Sequence, residues 1–154
     1  MIIREATPRD YPRLFDLWHQ IDRYHAEALP SIFQAPEGAP RDPQYFQTVM
    51  ENGRILLAEE GEALLGAAQV VIRQSEEVNI LVPRKHAHVE MLVVSESVRG
   101  QGIGRALMQA CEDWGRAQGM KEIDLTVFEF NAPAIKLYEA LGYRTYSRKM
   151  SKPL

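Results

Sequence analysis

The sequence predicts an α/β protein, a mixed sheet with helices on both faces. Three observations support this fold class. The chain has 154 residues, 45% of them hydrophobic, which suits a single domain over residues 1–154 with a buried core. Runs with the spacing of amphipathic helices are interspersed with branched, strand-like runs. Proline and glycine signals separate the runs, and the resulting order is β-α-α-β-β-β-α-β-α-β.

The N-terminal third predicts one strand and two helices. The strand is "MIIREA". A helix begins at Thr7, where a capping residue, a proline and an acid form the first turn, and runs to about Leu29. Residues 30–43 contain four prolines and predict a loop. A second helix begins at Pro43 and ends at Gly53.

The middle of the chain predicts three strands. "RILLAEE" and "GEALLGAAQVVIRQ" are joined at Glu60 and Gly61 as a hairpin. Residues 75–84 form another turn region. "HAHVEMLVV" has an almost unbroken apolar end, which is typical of a central strand covered on both faces.

The C-terminal third alternates helices and strands. An amphipathic helix follows the glycine-rich segment and stops at Gly119, and "EIDLTVFEF" is the next strand. Asn131 caps a further helix that ends at Gly142. "YRTYSRKM" is predicted as the last strand.

Composition excludes several classes of protein. The net charge of −3 and the isoelectric point near 5.8 argue against broad binding to nucleic acid or to an anionic membrane surface. Cys111 is the single cysteine, so no internal disulfide forms, and a cytoplasmic location is expected. The charged start "MIIREATPRD" does not fit a signal peptide, and no apolar run approaches the ~20 residues of a membrane span.

The stretch "VRGQGIGRALM", residues 98–108, places three glycines just before a helix. Exposed amides at a helix N-terminus bind phosphate or pyrophosphate, and Arg99 and Arg105 add positive charge. The P-loop pattern fails, because no lysine with a following hydroxyl residue is present. The dinucleotide pattern also fails, because Arg105 or Leu107 stands where its third glycine belongs.

The spacing that fits is R-x-x-G-x-G, at Arg99, Gly102 and Gly104. "MLVVSESVRGQGIGRALM" resembles the acetyl-coenzyme A segment of the GCN5-related N-acetyltransferases. "NAPAIKLYEALGYR" is similar to that family's C-terminal motif. The resemblance covers residues 2–150, although residues 20–50 and 74–86 share only the layout.

This resemblance implies the GNAT (acyl-CoA N-acyltransferase) fold, with a mixed, mostly antiparallel sheet splayed between strands 4 and 5 and about four flanking helices. Acetyl-CoA would lie in the opening as a co-substrate. Its pantetheine arm would pair with the backbone of residues 92–94, and its pyrophosphate would rest on amides 99–105. The implied coenzyme contacts are Leu92, Val93, Val94, Arg99, Gly100, Gln101, Gly102, Ile103, Gly104, Arg105, Asn131 and Ala134.

The implied reaction is direct attack of a primary amine on the thioester in a ternary complex. The amide of Val93 would stabilise the developing oxyanion. Tyr138 matches the family's tyrosine that protonates the departing thiolate or donates a hydrogen bond to it; the alternative is a core aromatic. Glu90 interrupts an apolar strand and is the candidate base, with a pKa raised by partial desolvation. Its alternatives are an ion pair with a neighbouring arginine, or exposure to solvent.

Histidines and the cysteine receive no chemical role. His86 and His88 lie on one face of a strand, but no third metal ligand is evident, so we expect no metal. His19 and His25 either line the acceptor side or are exposed. Cys111 lies on the apolar face of its helix and is expected to be a buried thiol.

Two functions from different classes remain open. The first is an N-acetyltransferase whose acceptor is a small amine or a protein amino group. The second is a non-catalytic sensor or regulatory module that binds acyl-CoA. A nucleotide-binding oxidoreductase is disfavoured by the glycine spacing. The sequence leaves the acceptor undetermined and allows a homodimer.

Overall fold

The computed structural model describes residues 1–35, 37–75, 79–80 and 82–152. Its centre is a five-stranded sheet in the order β1-β2-β3-β4-β5. The first four strands pair antiparallel, and β5 runs parallel to β4. This confirms the predicted mixed, mostly antiparallel sheet. The strands are β1 (Ile2–Glu5), β2 (Gly53–Glu60), β3 (Ala63–Gln74), β4 (Lys85–Val94) and β5 (Ile123–Leu125).

Four α-helices flank the sheet, as predicted: α1 (Phe15–Ala28), α2 (Pro43–Asn52), α3 (Ile103–Ala117) and α4 (Ala132–Ala140). The first predicted helix begins with a 3₁₀ segment, Pro8–Leu14, before α1. Pro12 lies inside that segment and has no N–H to donate to the preceding turn. At α2, the Asp42 side chain accepts a hydrogen bond from the Tyr45 amide at 2.6 Å and caps the helix.

Each face of the sheet has its own core. On one face, α1 and α2 cover β2 and β3, and Leu14, Trp18 and Leu57 are completely buried. On the other face, α3 packs its apolar stripe on β3 and β4, with Leu107 and Cys111 completely buried. The central strand β4 contributes to both cores, which confirms that it is covered on both sides.

The pairing of β4 with β5 is short. It joins only Ala87, His88 and Val89 to the residues of β5, and beyond Val89 the two strands are no longer paired. One residue later, the register between β3 and β4 shifts: Gln69 lies opposite Met91, whereas Val70 lies opposite Val89. Glu90 is therefore the extra residue of a β-bulge, located where β5 leaves β4.

Two predictions for the C-terminal third are wrong. The strand predicted as "EIDLTVFEF" is paired only over Ile123–Leu125, and the chain then turns, with the Asn131 amide bonded to the Phe128 carbonyl at 2.9 Å. In the described residues after α4, "YRTYSRKM" forms no strand, and residues 144–150 are exposed. The physical reason is that β5 is too short to offer this segment an edge of useful length.

The predicted loops are present as connections between elements. Residues 76–78 and 81 of the predicted turn at 75–84, and Pro36 of the proline-rich loop, lie outside the described residues. The proline-rich loop is held against α1, because Arg41 binds both carboxylate oxygens of Asp22 at 2.6 and 2.8 Å. No helix of the described chain is both long enough and apolar enough to cross a membrane.

Candidate active site at the separation of two strands

The upper half of β4 has one free edge. Leu92, Val93 and Val94 pair with Ala68, Ala67 and Gly66 of β3. No strand of the described residues lies beside the opposite edge, since pairing with β5 ends at Val89. A strand edge of this kind accepts an extended ligand through main-chain hydrogen bonds. The residues predicted to hold the pantetheine arm thus lie on a stretch of β4 that is paired with β3 and not with β5.

The glycine-rich turn follows directly. Gly100 and Gly102 have φ of +79° and +82°, a left-handed conformation that side chains with a Cβ rarely adopt. Gly102 is also the N-cap of α3, and the first helical bond joins the Ala106 amide to the Gly102 carbonyl at 3.1 Å. Within the part of the chain described, the amides of residues 99–105 donate no hydrogen bond. They form the set of free donors that an anion at a helix N-terminus requires.

The two arginines of this turn differ in their contacts. The Arg99 Nε donates to the Val94 carbonyl at 3.2 Å, and its guanidinium lies 3.7 Å from Glu96. Arg99 therefore lies over the end of the free edge. Arg105 is exposed on the first turn of α3. Both arginines belong to the turn that carries the free amides, and their contact with a coenzyme stays a prediction.

The start of α3 is packed against α4. A Cβ added at Gly104 would lie 3.2 Å from Leu137 Cδ2, 3.7 Å from Val94 Cγ2 and 3.9 Å from Leu92 Cδ2. Helix α4 therefore closes one side of the opening. At its N-terminus, Asn131 Oδ1 accepts from the Ala134 amide at 3.3 Å, which confirms Asn131 as a helix cap. The amide of Ala134 is used in this cap.

Tyr138 lies on α4 and is partly buried in the core on the α3 side, with its ring centre 5.9 Å from that of Tyr143. Burial raises the pKa of Tyr138 to about 12, and the nearby Cys111 adds to the shift. The hydroxyl is therefore protonated at physiological pH. The core position and a role as a proton or hydrogen-bond donor are compatible in this environment.

Glu90 on the bulge is held by two side chains of β3. Gln69 donates to its Oε2, and Arg73 donates to its Oε1 at 3.0 Å. About a third of the side chain is accessible, 30% by area. The ion pair that the sequence analysis gave as an alternative is thus present.

Aromatic rings face each other beyond the end of β5. The His25 ring of α1 lies 5.2 Å from Phe33, 5.7 Å from Phe128 and 5.5 Å from Phe130. Tyr24 extends this aromatic cluster, with its ring 5.5 Å from Phe130. The cluster joins α1, the proline-rich loop and the turn after β5. His25 is therefore a packed residue on this side of the opening, and His19 is partly buried.

Sequence reasoning missed several residues of this region. Gln69 and Arg73 of β3 contact Glu90. The sequence did contain a signal for them, because alternation along the two strands places all three side chains on one face of the sheet. Asp124 lies opposite His88 on β5, so the statement that no third candidate ligand accompanies the two histidines is wrong. Cys111 is completely buried, as expected, and burial raises its pKa to about 12.

The mixed sheet therefore opens directly beside a glycine-rich helix start. The chain belongs to the acetyltransferase (GNAT) family, whose model matches residues 17–143. It is similar to the solved structure of the BH1408 protein tetramutant from Bacillus halodurans, with 31% identity, a TM-score of 0.92 and full coverage of both chains.

Two further comparisons bear on function. The L-amino acid N-acetyltransferase AaaT of Escherichia coli is 27% identical over 93% of this chain and 82% of its own. The structure of the aminoglycoside N-acetyltransferase AAC(6')-Iy was solved in complex with CoA. It matches this chain with a TM-score of 0.77 at 20% identity, over 99% of this chain and 93% of the other. This likeness shows a shared fold. Other N-acetyltransferase relatives match more partially: the chain spans 47% of the length of one and 24% of another.

Proposed function

We propose that this protein transfers the acetyl group of acetyl-CoA to a primary amine. The observation that carries the proposal is the row of free amides at residues 99–105, directly after the free edge of β4. A pantetheine diphosphate needs both features, since the arm pairs like an added strand and the diphosphate binds at a helix N-terminus. The CoA complex of the structurally similar AAC(6')-Iy supports this choice of donor.

The coenzyme would enter along β4 and end at α3. Residues 92–94 would bind the arm, residues 99–105 the diphosphate, and Asn131 and Ala134 on α4 would border it. The Arg99 Nε donates to the Val94 carbonyl at 3.2 Å. When the diphosphate binds, Arg99 would give up this hydrogen bond and contact the anion. This exchange would free the last carbonyl of the edge when the arm arrives.

Acetyl transfer needs a proton donor at the leaving sulfur, and we assign that role to Tyr138. With a pKa of about 12, complete proton transfer to a thiolate of pKa ~8.5 is uphill by roughly 5 kcal/mol. We therefore infer that Tyr138 stabilises the thiolate mainly as a hydrogen-bond donor. The Val93 amide would stabilise the oxyanion of the tetrahedral intermediate.

Glu90 is the proposed base, acting directly or through water. An alkylamine of pKa ~10.4 requires about 4.6 kcal/mol to lose its proton at pH 7, whereas an α-amino group near pKa 8 requires only about 1.4 kcal/mol. The Glu90 carboxylate is paired with Arg73, so it must leave this contact or act through water to reach the amine. We therefore expect α-amino acceptors to react faster than alkylamines, which agrees with the amino-acid substrate named for the relative AaaT.

The test is an acceptor screen that follows free thiol released from acetyl-CoA. Amino acids, short peptides, polyamines and aminoglycosides are compared at one pH, and thermal stabilisation by CoA is measured in parallel. We expect stabilisation together with thiol release that depends on the amine. Stabilisation without release by any acceptor would favour the acyl-CoA sensor instead, and absence of both would overturn the proposal.

A further inference from the structure

Two histidines and an aspartate meet at the paired end of β4 and β5. His86 and His88 alternate onto the same face of β4, and Asp124 lies opposite His88 in the parallel pair. The His88 Nδ1 is 2.6 Å from Asp124 Oδ1, and the His86 Nε2 is 3.2 Å from Asp124 Oδ2. One carboxylate on β5 thus bridges two imidazole rings on β4.

The two histidines of this cluster are buried, while Asp124 is partly exposed. His86 and His88 are 8% and 7% exposed. The His86 Nδ1 is buried and has no hydrogen-bond partner among the residues described. The nitrogen of His86 that faces Asp124 is Nε2, and Nδ1 remains available to the second-shell partner that a metal-bound histidine usually has.

We propose that His86, His88 and Asp124 form a binding site for a divalent transition-metal ion, and that Zn²⁺ is the ion that fits best. Imidazole nitrogen and carboxylate oxygen are donors that Zn²⁺ prefers. The donor atoms of the three residues all lie within 4.8 Å of one another. Tetrahedral Zn²⁺ with bonds of about 2.1 Å holds its ligands roughly 3.4 Å apart, close to the 3.2 Å between His86 Nε2 and Asp124 Oδ2. The His88 Nδ1, which is 2.6 Å from Asp124 Oδ1, would have to move away from it by about 0.8 Å when the ion binds.

The scaffold is rigid and leaves room for a fourth ligand. Backbone pairing fixes the strands on both sides of the cluster, and the Ala87 amide bonds to the Glu122 carbonyl at 3.0 Å. Asp124 keeps 26% of its side chain accessible, so water can reach the metal. The neighbouring Arg84 is engaged with Glu122 at 3.1 Å. The bound ion would hold β4 and β5 together just before they separate.

The site is tested with Zn²⁺ and no acetyl-CoA, so its outcome is independent of the proposed acetyl transfer. The protein is treated with a chelator, dialysed and titrated with Zn²⁺ by calorimetry, and its melting temperature is followed. We expect one ion per chain and a higher melting temperature. The variants His86→Gln, His88→Gln and Asp124→Asn should each weaken Zn²⁺ binding at least about 100-fold, while His19→Ala, a histidine outside the cluster, should leave it unchanged.

X-ray absorption of the zinc-loaded wild type provides a readout that needs no folded variant. Two histidine nitrogens among the zinc ligands are expected. A dissociation constant weaker than roughly 1 mM, absence of histidine ligands, or equal binding by all three folded variants would overturn the proposal. In that event the cluster is a hydrogen-bonded triad only.

Discussion

The two halves of β4 differ, although they belong to one continuous strand. The lower half, at Ala87–Val89, is hydrogen-bonded to β3 on one side and to β5 on the other. The upper half, at Leu92–Val94, is bonded to β3 alone. Buried backbone groups are almost always paired, so a free edge inside a sheet is where a ligand is expected to complete the bonding.

The bulge at Glu90 marks the boundary between these halves. Below it are the buried histidines facing Asp124, and above it are the free edge and the glycine-rich turn. The comparison teaches that one strand has both an anchor that is paired on two sides and a free edge, which we propose as the edge that binds the coenzyme. The anchor keeps the two strands together on one side, so that their separation on the other is a fixed opening.

The largest effect is expected from a change at the open end. Tyr138→Phe should lower kcat roughly 100-fold to 1,000-fold, the effect of losing one hydrogen-bond donor to a developing negative charge, with little change in CoA affinity, because the ring remains and only the hydroxyl is lost. The measurement is thiol release beside CoA titration. A variant with normal turnover would remove Tyr138 from the mechanism.

The pH profile gives a second view of the same residue. Since burial raises the pKa of Tyr138 to about 12, the hydroxyl stays protonated as pH rises through 10, where an exposed tyrosine loses its proton. The wild-type rate should therefore show no fall due to Tyr138 below about pH 11. A fall near pH 10 in wild type that disappears in Tyr138→Phe would contradict this environment.

Two glycines of α3, one beside each half of β4, allow the two halves to be tested separately. A Cβ at Gly115 would lie 3.0 Å from the Ala87 Cβ at the closed end, whereas one at Gly104 would meet the tip of Leu137 at 3.2 Å. Gly115→Val should therefore lower the free energy of unfolding by about 1–3 kcal/mol and leave CoA affinity of the folded protein unchanged.

Gly104→Val should show the reverse pattern. The flexible tip of Leu137 can move, so the loss of stability is smaller, while the branched side chain crowds the free amides and weakens CoA binding. Chemical denaturation and CoA titration of both variants check the pair. Equal losses of CoA affinity in the two variants would contradict a separate function for each end.

A smaller effect is expected at the bulge. Glu90→Gln should lower the rate at pH 7 about tenfold for an α-amino acceptor, matching the roughly 1.4 kcal/mol needed to deprotonate it, and should flatten the low-pH limb of the profile. Arg73→Gln, which removes the ion pair and keeps the carboxylate, is the control. An unaltered profile in Glu90→Gln would show that the acceptor reaches the site already deprotonated.

The smallest effect is expected for Arg99→Ala. Arg99 is exposed and contacts Val94 and Glu96, and exposed ion pairs contribute roughly 0.2–1 kcal/mol. CoA affinity should therefore fall only about twofold to fivefold, with a weaker dependence on salt. A loss far beyond this range would mean that the side chain, and not the backbone, holds the diphosphate.

Much of the fold could be predicted because its signals are local. Asp42 caps α2, Asn131 caps α4, and Gly119 and Gly142 adopt positive φ where their helices end. These effects depend on neighbours a few residues away, which the sequence displays directly. The predicted final strand was wrong because a strand exists only with a partner edge, and β5 is too short to provide one.

The sequence by itself determined the order of the elements from β1 to α4, the exposed glycine turn and the identity of Tyr138 and Glu90 as candidate groups. Only the tertiary structure decided where β4 and β5 separate, that Glu90 forms the bulge and is paired with Arg73, and that Asp124 meets two histidines. The physical reason is that strand register and cross-strand contacts join residues far apart in the chain, and their pairing is settled only when the sheet and both cores assemble together.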